Sequence, residues 1–117
     1  MDPVNLLKHA TNARYKNLTY DKRDPTATLN QITYLSLDRK NIEKIENLQY
    51  CTQLSCLFLS DNLITNIAKA FTGYNFKNLF QLSLDGNRIH KIEGLESLIN
   101  LKKLYLENNF ISRLEGL

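Results

Sequence analysis

The chain has 117 residues, of which 43% are hydrophobic, and a formal net charge of +3. That length supports one domain, and that composition a folded one rather than a disordered one. The charge is too small to mark a nucleic-acid or membrane binder by itself, and no apolar run approaches the roughly 18 to 20 residues of a membrane span.

Residues 1–31 read as an arm. The opening MDPVNLLKHATNARYK has no continuous apolar segment, so no signal peptide is expected. Asp2-Pro3 has the chemistry of an N-cap followed by proline at the first helical position. Val4, Leu7, and then Ala10 or Thr11 recur at helical spacing, which predicts a short amphipathic helix over residues 2–13. Residues 14–24 form a polar, basic stretch broken by Tyr15, Leu18 and Tyr20, and read as a loop. Asp24-Pro25 signals a second helix start, leading into Thr26-Ala27-Thr28-Leu29. Lys8, Arg14, Lys16, Lys22 and Arg23 outweigh Asp2, Asp21 and Asp24, so most of the positive excess lies in the arm.

Four copies of one unit fill residues 32–117, starting at Ile32, Leu54, Leu79 and Leu101 with spacings of 22, 25 and 22. The third copy, LFQLSLDGNRIHKIEGLESL, shows the pattern best. Positions one, four, six, eleven and fourteen are Leu79, Leu82, Leu84, Ile89 and Ile92, and all four units carry only Leu or Ile there. Leucines at four and six alternate with polar residues, the period of a strand. After position nine the period becomes three, so the chain turns and returns by a tighter path, 3₁₀ or irregular. No unit can bury its leucines alone, but neighbours stacked in parallel can. A stack of this kind has open apolar ends, and the arm is the expected cover for the first. The last unit reaches position 17 at Leu117 without a polar cap, so the array is expected to continue beyond the C-terminus.

The LxxLxLxxNxI pattern, the 22-residue period and the IxKIEGL endings resemble the short class of leucine-rich repeats. That class includes a regulatory subunit of a Ser/Thr protein phosphatase, an axonemal dynein light chain and the spliceosomal A-prime protein. The resemblance covers residues 32–117. It implies an α/β fold: a right-handed leucine-rich-repeat solenoid with a parallel concave β-sheet, a 3₁₀ or irregular convex side and an N-terminal helical cap. It also implies that Asn62, Asn87 and Asn109, at position nine, are buried and bind the backbone of adjoining turns. The first unit has Lys40 there instead. Lys40 is expected to point outward, with the arm supplying the missing contacts. The second unit has three extra residues after Ile67, expected on the convex side as a turn ended by Gly73. Phe71 and Phe76 would replace core positions there, with a docking knob on Tyr74 as the alternative.

No Ser/His/Asp grouping, paired-carboxylate motif or glycine-rich phosphate loop appears, and His9 and His90 are isolated. Cys51 and Cys56 lack CxxC spacing and read as free thiols of a reducing compartment. The sequon Asn17-Leu18-Thr19 is discounted accordingly. No catalytic residue, metal ligand or cofactor is assigned. The outward strand positions are the candidate site. Position three gives Tyr34, Cys56, Gln81 and Lys103, and position five gives Ser36, Phe58, Ser83 and Tyr105. Phe80 comes from position two. Asp38, Asp61, Asp85 and Glu107 form an acidic row beside them. Aromatic groups with aligned carboxylates fit a protein partner presenting basic and apolar side chains, and argue against nucleic-acid phosphates on this face.

The expected function is a non-enzymatic scaffold or adaptor, with no membrane partner. The arm resembles the leading segments of ciliary members of the class, which points to an axonemal or cytoskeletal assembly in the cytoplasm. A phosphatase catalytic subunit is the alternative partner, a nuclear location the alternative setting, and an RNA-associated role for the basic arm the third reading.

Overall fold

The structure is a computed structural model that describes residues 25–72 and 76–114. The helix expected over residues 2–13, the basic loop, Gly73 and Tyr74 lie outside the described residues. Helix α1 spans Pro25–Leu29 and begins on the proline of the Asp24-Pro25 signal. Its Thr28 and Leu29 are buried, and it packs against a 3₁₀ turn at Leu48–Tyr50 in the first repeat.

Each repeat opens with a three-residue strand: β1 Tyr34–Ser36, β2 Cys56–Phe58, β3 Gln81–Ser83 and, in the fourth, β5 Lys103–Tyr105. They form one parallel sheet in the order β1-β2-β3-β5. Leu35, Leu57, Leu82 and Leu104 lie opposite one another in register. The first three are fully buried, because successive strand residues face opposite sides and the middle one faces inward. Leu37, Leu59 and Leu84 add a second layer, and Ile64, Ile67, Ile89 and Ile92 close the core from the returning side. Burying each such side chain contributes about 1.5–3 kcal/mol, which strands this short could not supply through hydrogen bonds alone.

The convex side is more regular than the sequence pattern predicts. Between the third and fourth repeats the return path forms two more strands, β4 Lys91–Ile92 and β6 Arg113–Leu114, paired in parallel. The 22-residue spacing of these two units sets Ile92 opposite Leu114, so their backbones run side by side. The longer second repeat keeps its strand in register, with Leu57 opposite Leu82. Its extra length is taken up beyond Ile67, where Phe71 and Phe76 are buried edge to face, 5.6 Å between ring centroids.

The position-nine asparagines hold the turns. Asn87 donates from Nδ2 to the carbonyls of Leu59 and Leu84, and accepts from the Ile64 N–H at Oδ1. Asn62 does the same for Leu37, Leu59, Lys40 and Ile42, and Asn109 for Leu84, Leu106 and Ile89. Every one of them reaches back to the preceding repeat. The first unit, which lacks this asparagine, is served in the same way. Asn62 of the second repeat bonds its Leu37 carbonyl and its Lys40 and Ile42 N–H groups, and Lys40 is exposed, as expected; the arm residues that were to add contacts lie outside the described residues.

Position eight is left-handed in all four units: Arg39, Asp61, Gly86 and Asn108 have φ of 56°, 57°, 70° and 60°. Three of the four are not glycine, so the conformation is tolerated with a side chain. Gly94 differs. It has φ 77°, and a Cβ there would run into the backbone carbonyl of Ala68.

Two outcomes follow for stability. Asn87→Leu orphans buried backbone groups on both turns and should lower the free energy of unfolding in urea by about 2–4 kcal/mol, whereas Lys40→Ala should leave it unchanged. Gly94→Ala should cost about 1–3 kcal/mol, clearly more than Gly86→Asn, whose added Cβ presses on the movable carboxylate of Asp61 and meets the Asp61 Cα at an ordinary contact distance of 3.4 Å.

Candidate functional site

The outward residues of the four strands line up as the repeat spacing requires. Tyr34, Cys56, Gln81 and Lys103 form one column, and Ser36, Phe58, Ser83 and Tyr105 the next. Tyr34 and Phe58, diagonal neighbours on β1 and β2, pack with ring centroids 4.9 Å apart and planes at 46°. Both are half-buried. Tyr105 stands at the other end of its column with 41% of its surface exposed. Between Phe58 and Tyr105 lies Ser83, small and only 6% exposed. With strands about 4.8 Å apart, the two aromatic residues are separated by roughly 10 Å across the sheet. The two aromatic residues thus stand on either side of a small, buried serine in one outward column of the sheet.

Phe80 precedes β3 and is 41% exposed. Lys103 reaches over it, with Nζ 5.8 Å from the ring centroid, within the range of a cation–π contact. The lysine is thus drawn toward the ends where the strands begin.

The acidic row lies at the other ends of the strands, and two of its members have work within the fold. Asp38 Oδ1 accepts the N–H of Ser60 at 2.7 Å, and Asp85 Oδ1 accepts the N–H of Glu107 at 2.6 Å. In each case the carboxylate holds the turn of the next repeat. Asp61 and Glu107 are exposed, and exposed Arg39 sits among them. Asp61 and Glu107 are therefore the carboxylates of the row most open to a partner.

A second feature of this face was not singled out by the repeat pattern. Thr33, Ser55, Phe80 and Lys102, the position-two residues, join Gln53, Lys77, Asn78 and Asn100 to line a groove of about 550 Å³ where the strands begin. Its signal in the sequence is a polar or amide residue directly before each strand-leading leucine, as in Gln53, Asn78 and Asn100. The concave side thus carries Lys77, Lys102 and Lys103 toward one rim and four carboxylates toward the other, with aromatic residues between.

Cys51 is buried, and burial pushes its thiol up from 9.0 to about 12. Cys56 is half-buried in the first outward column. His90 is exposed and lies 5.7 Å from the Phe110 ring. Among the described residues no group of three or more His, Cys, Asp or Glu is placed to hold a metal ion, and no helix is long and apolar enough to cross a membrane.

The profile of leucine-rich repeats in two copies matches residues 77–117. An internalin (inlF) from Listeria monocytogenes is similar in structure, with a TM-score of 0.66 and 33% identity over 74% of this chain. The chain spans 25% of that internalin. The U2A' complex with SNF from Drosophila melanogaster gives a TM-score of 0.66 at 24% identity, covering 96% of this chain and 71% of the similar one. A second Listeria monocytogenes internalin (inlC2) gives 0.58 at 24% identity, covering 95% and 61%. No curated protein matches the chain. The repeated LxxLxLxxNxI motif, the parallel sheet it builds and these likenesses agree: the chain is a leucine-rich-repeat protein.

Proposed function

We propose that the protein is a non-enzymatic adaptor that binds a partner protein across the concave face of its sheet. Leucine-rich-repeat proteins are in general interaction scaffolds, and the similar Drosophila chain occurs in a complex with SNF. The observation that carries the proposal is the pair of aromatic residues, Phe58 and Tyr105, in one outward column of the sheet. Core packing requires neither ring, and both stand on the outward column. Aromatic side chains grouped on an outward face, with Tyr105 41% exposed, are the residues expected at the energetic centre of an interface. Exposed Asp61 and Glu107 would then meet basic residues at its margin.

The setting we favour is an axonemal or cytoskeletal assembly in the cytoplasm, supported by the resemblance of the leading segment to ciliary members of the class. Regulation of a Ser/Thr phosphatase, with a nuclear location, would use the same face. An RNA-associated role would instead draw on the basic arm.

Affinity capture with cross-linking mass spectrometry on the full chain separates these settings. Cross-links to dynein or tubulin support the first, to a phosphatase catalytic subunit the second, and to ribonucleoprotein the third. For the face itself, Phe58→Ala with Tyr105→Ala should weaken partner binding by at least about tenfold while leaving the circular dichroism spectrum intact. Full binding by that double variant would sink the assignment.

The two cysteines provide a footprint. Cys56 should react with a maleimide in the free protein and be protected once the face is covered. Cys51 should stay unlabelled until the protein is unfolded. The raised thiol of Cys51 also sets a pH dependence. Its contribution to stability is fully present below pH 9.0 and is lost as the pH rises toward about 12, because the unfolded chain gives up that proton first. Urea midpoints measured on either side of that window should show the loss, and Cys51→Ala should reduce it.

A further inference from the structure

We infer that the groove where the strands begin binds an acidic peptide segment of a partner protein. Its lining includes Lys77 and Lys102, both exposed, and contains no carboxylate. Among the described residues neither lysine takes part in an ion pair. The site is unbalanced in charge among the described residues, and a ligand with carboxylates would correct that.

The groove is also built, not merely open. The Phe80 carbonyl accepts the N–H groups of Lys102 and Lys103, and the Ser55 carbonyl those of Phe80 and Gln81. The backbone beneath is therefore satisfied and fixed. Asn78 Nδ2 donates to Gln53 Oε1 at 3.1 Å, and Asn100 Nδ2 donates to the Lys77 carbonyl at 2.6 Å. These bonds pin the amide side chains along the rim. Phe80 adds an exposed apolar surface, so the best ligand pairs acidic residues with an apolar one.

A protein segment fits better than a nucleic acid. Two lysines, with Lys103 nearby, can neutralise only a few charges, and a polyanion crossing the sheet would meet Asp61 and Glu107 at the far rim. A peptide can end its acidic stretch before that point. It would then lie in one direction, acidic residues at the beginnings of the strands and basic or neutral ones at their ends. That direction rests on the proposed use of the sheet face; binding in the groove does not.

The test uses the full chain and fluorescence anisotropy, with three labelled probes: a short peptide alternating Glu and Leu, the same peptide with Lys for Glu, and single-stranded oligouridylate. The acidic peptide should bind best. Lys77→Glu with Lys102→Glu should lower its affinity at least about tenfold, with an unchanged unfolding midpoint, since both side chains are exposed. Phe58→Ala with Tyr105→Ala should keep that affinity, so loss of the aromatic pair and loss of the groove are told apart. The inference is overturned if the wild type does not bind the acidic peptide, if charge reversal leaves binding intact, or if the lysine peptide binds equally. It is likewise overturned if oligouridylate binds more tightly and is the probe lost on charge reversal.

Discussion

A tight turn after a three-residue strand leaves backbone carbonyls and N–H groups pointing into a space that water does not reach. In this protein a single side-chain amide serves them. Asn87 bonds groups from its own turn and from the turn before it. Without such a bridge each turn would keep orphaned polar groups, and the stack would be worse than no stack at all. The leucine core depends on this condition being met, because burial of Leu57, Leu82 and their neighbours requires the turns to lie against one another.

Once the turns are fixed, the strands have no freedom of register. Tyr34, Cys56, Gln81 and Lys103 must share a column, and Phe58, Ser83 and Tyr105 the next. Function is thereby confined to a grid whose geometry is constant and whose side chains are free to vary. The second repeat shows how well the grid is protected. Three additional residues enter the chain, yet β2 and β3 pair without a shift because Phe71 and Phe76 take the excess into the core of the returning side.

The inward half of this architecture was legible in the sequence. The Leu and Ile positions, the change of period after position nine and the outward columns all follow from spacing, since spacing decides which side of a strand a residue faces. The direction of hydrogen bonds is not encoded that way. Nothing in the periodicity says that Asn62 serves the first repeat as well as its own. Asp38 and Asp85 read as surface acids, and their bonds to Ser60 and Glu107 emerge only when the repeats are stacked. The groove was hidden for a related reason. Position two lies just outside the strand, and residues such as Lys77 and Asn100 become neighbours of Phe80 through the stack, not through the pattern.

The backward reach of the asparagines gives the molecule a polarity in time as well as in space. During synthesis from the N-terminus, the carbonyl of Leu37 waits for Asn62, and that of Leu59 for Asn87. A newly emerged repeat is thus an open clasp, closed by residues that leave the ribosome later. Each closure settles one turn and presents the next. The stack therefore has a direction, each turn being completed by the repeat that follows it.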